Sequence, residues 1–345
     1  MANPLRIAVW NANGLSKHTQ ELTQFLHTSN IDILLISETH FTHRSYIKIP
    51  NYIVHNTLHP DNTAHGGTAV IIRRNIKHHA REEHRQEHIQ TTTIAIQDDA
   101  GELTITAAYS PPKHAIKEAD TRFFNTLGNI FLVGGDYNAK HILWGARTTT
   151  PKGKELYKSM NINNLKYLST RQPTYWPSDM HRHPDLLDFC LTKGIHTQRA
   201  EIASCLDLSS DHTPIIVTLH THFLKKQQKP SLYNNYTDWN KFREILDERI
   251  DTKIPLKSDT DIEKAVTTLT IDIQQATSQA TPPLRPKHEI YTCPLHIKRK
   301  LLEKRKARRR WQTTRAAEAK QLYNNLAKEL KHLLHTHKTS IFNNT

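Results

Sequence analysis

Eight short apolar runs are spread over the first 220 residues: LRIAVWN, IDILLIS, GGTAVIIRR, IQTTTIAIQ, ELTITAAYS, NIFLVGG, LLDFCLT and TPIIVTLH. Each is rich in Ile, Val, Leu and Thr and is bounded by turn residues, so each reads as a strand. Helical patterns lie between some of them. One follows Ser16, expected as its N-cap, with Leu22, Phe25 and Leu26 on one face; another runs near 152–163. Many strands with few intervening helices predict an α/β fold: a four-layer sandwich of two packed mixed sheets flanked by helices.

The rest of the chain has a different texture. Residues 225–236 (KKQQKPSLYNNY) are polar and aperiodic, which places a boundary between a domain over 1–224 and a region over 225–345. Beyond it, Trp239, Phe242, Ile245, Leu246 and Ile250 repeat at helical spacing. So do Ile262, Ala265, Val266, Leu269 and Ile273, and later Leu322, Leu326, Leu330, Leu333 and Leu334. A proline-rich break, TPPLRPKHEIYTCP, separates the last set from the others. Charge follows the same division. The formal charge is +14; residues 1–224 hold 22 Lys and Arg against 20 Asp and Glu, and residues 225–345 hold 25 against 13. A near-neutral first part and a basic helical extension suit different tasks, the second suiting a polyanion such as nucleic acid. An anionic membrane surface is the lesser alternative.

Other classes are poorly supported. No run of eighteen apolar residues exists to span a bilayer, and the N-terminus lacks the pattern of a secretory signal. Cys190, Cys205 and Cys293 are widely spaced, with no C-x-x-C pair, and read as reduced thiols. There is no G-x-S-x-G elbow and no G-x-x-x-x-G-K-[ST] loop, which argues against serine hydrolysis and triphosphate binding.

The chemistry gathers where strands end. In IFLVGGDYNAKH, an apolar run meets two glycines, then Asp136 and Asn138 two apart, on one side of an extended backbone. A carboxylate there can take a proton from water and a neutral amide can hold that water; the glycines are expected to let backbone approach a ligand. Alone, the motif reads equally well as an Asx turn. It is not alone. WNANGL places Asn11 and Asn13 at a strand end, ISETH places Glu38 and AAYSPP places Tyr109 likewise, LLDFC places Asp188 inside an apolar strand, and SSDHTP places Asp211 and His212 just before the last strand. Buried carboxylates are costly unless paired or bound to a cation, so one shared site explains these residues better than separate liabilities. Glu38, Asp211 and the Asn11 amide are oxygen donors suited to a hard cation such as Mg²⁺, and equally to Mn²⁺. An Asp base, such an ion, a His and a Tyr together describe a hydrolase for a phosphate ester.

WN, SETH, GGDYN, LLDF and SSDH, in this order and spacing, resemble the endonuclease/exonuclease/phosphatase superfamily across about residues 5–220. The wording of WNANGL, LISETHF, GGTAVIIR, PPKHAIKE, GGDYNAKH, PTYWPSD and LDLSSDH is most similar to the endonuclease domain of jockey-type non-LTR retrotransposons. In those elements it forms the N-terminal part of a reverse-transcriptase polyprotein. The resemblance implies that Asn11 and Glu38 lie at the metal with Asn13 beside them, and that Tyr109 contacts the scissile phosphate. It further implies that Asp136 activates water, Asn138 orients it, Asp188 holds the catalytic His212, and Asp211 stands near the metal. Thr174, in PTYWP, corresponds to a position near the DNA. The implied activity is a Mg²⁺-dependent nick of target DNA leaving a 3′-hydroxyl that primes reverse transcription, in a protein made in the cytoplasm and acting in the nucleus. No small-molecule cofactor or membrane partner is implied.

Two other function classes compete: a phosphatase of the same fold, acting on a small phosphorylated substrate, and a non-catalytic nucleic-acid-binding remnant. The run 298–310 (KRKLLEKRKARRR), with Trp311 after it, bears on the last. Arg308, Arg309 and Arg310 are expected to contact DNA or element RNA, and the run also suits a nuclear address. No Y-x-D-D-like polymerase motif is found, and the one adjacent Asp pair, Asp98–Asp99, sits in a turn-like setting. The polymerase is therefore expected to be absent, the chain being a fragment, a truncated copy or a domesticated endonuclease. Of 24 histidines, only His212 is assigned chemistry.

Overall fold

The β-branched runs pair into two sheets in the computed structural model, which describes residues 4–98, 101–116, 123–221, 223–224, 232–251, 253–282 and 293–343. Asp99, residues 117–118 of PPKHAIKE, residues 225–231 of the expected boundary and residues 283–292 of the proline-rich break lie outside them. The first sheet runs in the order β12 (Ala200–Ser204), β13 (Ile215–Leu219), β1 (Leu5–Asn11), β2 (Ile33–Ser37), β4 (Thr68–Arg73), β3 (Tyr52–Thr57). The second runs β10 (Lys166–Leu168), β11 (Asp188–Lys193), β9 (Phe131–Asp136), β8 (Gly101–Tyr109), β7 (Gln90–Asp98), β5 (His78–Ala80), with β6 (His84–Arg85) also pairing β7. Each sheet is mixed and holds one parallel pair, β1 with β2 and β8 with β9.

Both faces of the central strands are covered, so they read as continuous apolar runs. Ile7, Val9, Leu35 and Val70 from the first sheet meet Ile94, Ile105, Leu132 and Cys190 from the second. On the outer face of the first sheet, Ala8, Trp10, Leu34 and Ile36 pack on Leu22, Phe25 and Leu26 of α1 (Thr19–Thr28). Outside the second sheet, Phe131, Val133 and Phe189 pack on Phe124 of α2 (Phe123–Thr126) and on Leu156 and Met160 of α3 (Pro151–Ile162). These are the four layers expected. Burying each such side chain contributes about 1.5–3 kcal/mol.

Two local expectations need correction. Ser16 does not cap a helix: residues Leu15–His18 form a 3₁₀ turn, and α1 begins after His18 with no side-chain cap. The glycines of GGDYN do not open the backbone to a ligand. A Cβ at Gly134 would lie 2.7 Å from Val9 of the facing sheet, and one at Gly135 would lie 1.8 Å from the Ala108 carbonyl of β8. They let the sheets close where the site must form.

The C-terminal helices divide in a way that charge alone does not show. Residues 227–292 form one compact unit, holding α4 (Trp239–Arg249) and α5 (Asp259–Ala280). Asp238 caps α4, Ser258 and Asp261 form a capping box on α5, and the Asp238 amide donates to the Ala280 carbonyl at 3.0 Å. Residues 293–345 instead group with 1–226. There α6 (Leu295–Thr314) and α7 (Ala317–Asn343) form a hairpin whose turn passes through Arg315 at φ +55°. The reason is that α6 is not basic all round: it buries Ile297, Leu301, Ala307 and Trp311, and with them Lys304 and Arg308. No helix among the described residues is long and apolar enough to cross a membrane. The three cysteines are free.

Candidate active site

The two parallel pairs end side by side, and their last residues begin the site. Asn11 is the register partner of Ser37, and Tyr109 of Asp136. Ser37 bolts one sheet to the other: its hydroxyl donates to the Ala108 carbonyl at 2.8 Å and accepts the Asp136 amide at 3.1 Å. The strands from both sheets then turn by the same device. The Asn13 amide donates to Asn11 Oδ1 at 3.0 Å, and the Asn138 amide donates to Asp136 Oδ1 at 2.9 Å. Asn13 and Asn138 take left-handed backbone, at φ +44° and +47°, which Asn tolerates better than other branched residues. The turn reading and the site reading of D-x-N are therefore both correct, although Asn138 is turned rather than extended. Glu38 and His40 are also left-handed, at φ +55° and +54°; such strain gathers where a site holds it in place.

These turns bring the predicted residues together. The Asn11 side-chain amide donates to Glu38 Oε1 and to Asp136 Oδ2, both at 2.8 Å. The Asn13 side-chain Nδ2 donates to Asp211 Oδ1 at 3.2 Å. His212 Nδ1 lies 2.7 Å from Asp188 Oδ2, and its Nε2 lies 3.9 Å from Asp136 Oδ2. The 2.7 Å contact sets the ring's orientation, with Nδ1–H donated to Asp188 and Nε2 facing Asp136. Asn138 Nδ2 donates to the Ser110 carbonyl at 3.3 Å.

The field in the site is strongly negative. Burial and then the Asp188 carboxylate push Asp136 up to about 7, against partial relief from His212. Burial opposes charge on His212, but Asp188 outweighs it and, with Asp136 and Asp211, raises the imidazole to about 10. His212 is therefore held as a cation at neutral pH. Burial also acts on Glu38, yet hydrogen bonds from His40 and Asn11 keep it below the ordinary value. Burial raises the Tyr109 hydroxyl, and Glu38 and Asp136 add to that, so it stays protonated and able to donate. Asp136, Asp188 and His212 offer ligand atoms within 4.8 Å of one another. The Asp188–His212 contact has hydrogen-bond length, so these two residues form a dyad facing the Asp136 carboxylate rather than a cation seat. The oxygen donors without that commitment are Glu38 and Asp211, and their donor set fits a hard divalent ion.

Three expected nucleic-acid contacts do not stand as such. Thr174 is fully buried: its hydroxyl accepts the Leu187 and Asp188 amides, each at 3.0 Å, and its carbonyl accepts the Thr213 amide at 2.6 Å. It ties the Asp188 strand to the His212 loop and presents nothing to DNA. Asn13 points to Asp211 and belongs to the cluster itself. Arg308 is also fully buried, its guanidinium spent on carbonyls of residues 208–212. Arg309 and Arg310 are exposed on the same helix and remain available.

Some site residues escaped sequence reasoning. The ring of Tyr175 lies 5.0 Å from that of His212. The ammonium of Lys152 donates to the Ser110 and Pro111 carbonyls beside Asn138, and burial lowers it to about 8. The Ser210 hydroxyl accepts from Trp10 Nε1 at 2.9 Å and from the His212 amide at 3.1 Å. Lys152 sits in no strand-end pattern; Tyr175, two residues after the proline of PTYWP, and Ser210, inside SSDHTP, lay in quoted motifs without being singled out.

A buried carboxylate facing a His–Asp dyad, at the joined ends of two mixed sheets, defines a class of phosphoester-cleaving sandwich enzymes. The chain belongs to the endonuclease/exonuclease/phosphatase family, whose model matches residues 8–212. Within it the chain is similar to the RNA-directed DNA polymerases of insect mobile elements. It is 32% identical to the probable RNA-directed DNA polymerase from transposon BS of Drosophila melanogaster, over 99% of this chain and 38% of that protein. It is likewise 32% identical to the RNA-directed DNA polymerase from mobile element jockey of the same species, over 94% of this chain and 36% of that one. The chain thus spans less than two-fifths of these relatives. The endonuclease domain of TRAS1, a telomere-specific non-LTR retrotransposon, shares the fold at TM-score 0.53 and 21% identity, covering 63% of this chain and 98% of that one. The Xenopus laevis APE2 catalytic domain shares it at TM-score 0.52 and 15% identity, covering 65% and 94%.

Proposed function

We propose that the protein is a divalent-metal-dependent endonuclease that nicks target DNA and leaves a 3′-hydroxyl from which a non-LTR element primes reverse transcription. The observation that carries this reading is His212, held by Asp188 at 2.7 Å and facing the buried Asp136 at 3.9 Å. Water attacks the phosphorus in line with the 3′-oxygen, the P–O3′ bond breaks, and the departing 3′-oxygen takes a proton from solvent to become the 3′-hydroxyl. Asp136, pushed up to about 7, is basic enough to take the water's proton. Asn138 orients that water. His212, cationic through Asp188, donates from Nε2 to a non-bridging oxygen and offsets the charge that develops there. Tyr109, protonated, donates to the same phosphate. Glu38 and Asp211 would hold Mg²⁺ or Mn²⁺, which when bound would supply charge neutralisation for the phosphate ester's cleavage. Target DNA is the substrate. Arg309 and Arg310, exposed on α6, add backbone contacts to DNA or element RNA in this reading, and the reaction calls for a nuclear protein.

The test is supercoiled-plasmid nicking by the full chain with Mg²⁺, Mn²⁺ or EDTA, alongside Asp136→Ala. Open circles that form only with metal, need Asp136 and are extended by a polymerase support the reading. A folded wild type that binds DNA but leaves plasmid intact under both metals refutes it.

A further inference from the structure

The loop that carries Asp211 and His212 has no regular secondary structure, so its carbonyls need donors from elsewhere. They receive them from α6, about a hundred residues further along. Arg308 is fully buried. Its Nη1 donates to the Leu208 carbonyl, and its Nη2 to the carbonyls of Ser210 at 3.2 Å and His212 at 3.0 Å, with Thr213 Oγ1 at 3.4 Å. One turn earlier Lys304, also fully buried, donates to the Asp207 carbonyl, to Ser209 Oγ at 3.1 Å and to Glu21. Arg305 grips the Asp207 carboxylate with two nitrogens, and Gln312 Nε2 donates to Thr213 Oγ1 at 3.0 Å. From Asp207 to Thr213, the loop is pinned at nearly every residue by one face of one helix.

We propose that α6 is a positioning element of the nuclease site, with Arg308 setting the height of His212 against Asp136. The inference rests on the nuclease reading above. Two observations favour positioning over plain stabilisation. First, the Arg308 Nε–H is buried without an acceptor. An incompletely paired buried guanidinium is a poor way to stabilise a fold, since apolar packing does as well or better. Its fork is, however, a good way to hold several carbonyls in one plane. Second, the family match stops at residue 212, so in this protein a segment outside that match closes the loop that carries His212. The basic run 298–310 has two faces with two tasks: Lys304 and Arg308 grip the loop, while Arg309 and Arg310 face solvent.

The experiment compares full-length wild type, Arg308→Ala and Arg308→Lys in plasmid nicking, with and without millimolar guanidinium. Melting curves give the folded fraction, and a proton spectrum follows the resonance of the hydrogen shared by His212 and Asp188. For Arg308→Ala we expect kcat to fall about 10–100-fold with KM within about twofold of wild type, because small misplacement of a reacting group costs that much. Added guanidinium should restore kcat for Arg308→Ala but not for Asp136→Ala, and Arg308→Lys should fall between. The His212 resonance should shift in Arg308→Ala. Wild-type kcat in a folded Arg308→Ala overturns the proposal, as does a loss confined to KM or one that guanidinium leaves untouched. If Arg308→Ala does not fold, Arg308→Lys and Gln312→Ala decide, and wild-type kcat in both overturns it. If the wild type itself does not nick, the nuclease reading fails, and an unmoved His212 resonance in the variants then rejects the positioning role on its own.

Discussion

Asp136 and Asp188 face each other as register partners across β9 and β11. Like charges directly opposite on paired strands destabilise a sheet. Here His212 closes over both carboxylates, 2.7 Å from one and 3.9 Å from the other. The pair is tolerable because the imidazolium is there, and the imidazolium persists because the pair is there.

Removing the imidazole therefore costs more than catalysis. His212→Ala should lower nicking about 10²–10⁴-fold. Without metal, its loss of melting temperature should be full below about pH 6.5 and shrink as pH rises toward 10, because the folded imidazole's value of about 10 lies above the ordinary 6.5. A loss that grows between pH 6 and pH 9 would contradict the electrostatic account.

Asp136 itself is a source of instability. Its folded value of about 7 lies above the ordinary 3.8. The folded state thus resists ionisation, and stability falls as pH rises from about 4 through 7. Asp136→Asn should abolish nicking yet raise the melting temperature in EDTA at pH 8, with little change at pH 4. Melting curves at the two pH values check this; a variant less stable than wild type at pH 8 would count against it.

Thr174 is predicted to matter through Asp188. Thr174→Val keeps the volume but leaves the Leu187 and Asp188 amides without their acceptor. The cost should be about 1–3 kcal/mol per orphaned group. Denaturant unfolding measures it; kcat should fall with DNA affinity retained, and Thr174→Ser should recover most of both. Weakened DNA affinity with unchanged stability would restore the DNA-contact role.

The Glu21–Lys304 pair joins α1 to α6. Burial works against the Glu21 carboxylate, but the Lys304 charge outweighs it and holds Glu21 well below the usual range. Its contribution to stability is therefore present above about pH 4.5 and is lost as pH falls further. Glu21→Gln leaves a fully buried ammonium unpaired and should cost about 3–5 kcal/mol near pH 7. The gap from wild type should narrow in acid, as urea unfolding across pH would reveal.

The clustering was legible because strand ends are visible in sequence. Apolar runs stop where Asn11, Glu38, Tyr109 and Asp136 stand, His212 comes just before the last run, and burial makes clustered carboxylates hard to explain singly. Roles that depend on which way a side chain turns were not legible. Thr174 and Arg308 carry residue types common at nucleic-acid surfaces, yet both point inward and satisfy backbone groups of the catalytic segments. The GG pair looked like a ligand hinge, and the need it meets is the approach of Val9 and Ala108.

The amino-acid sequence by itself determined the layers, the site's chemical inventory and the family, because hydrophobic period and motif order are local properties of the chain. Tertiary structure decided which oxygen faces which proton. It also decided that a basic helix beyond the matched domain folds back beneath the His212 loop. Those outcomes turn on contacts across a hundred or more residues, where unpaired carbonyls and buried charges find partners that no local pattern names.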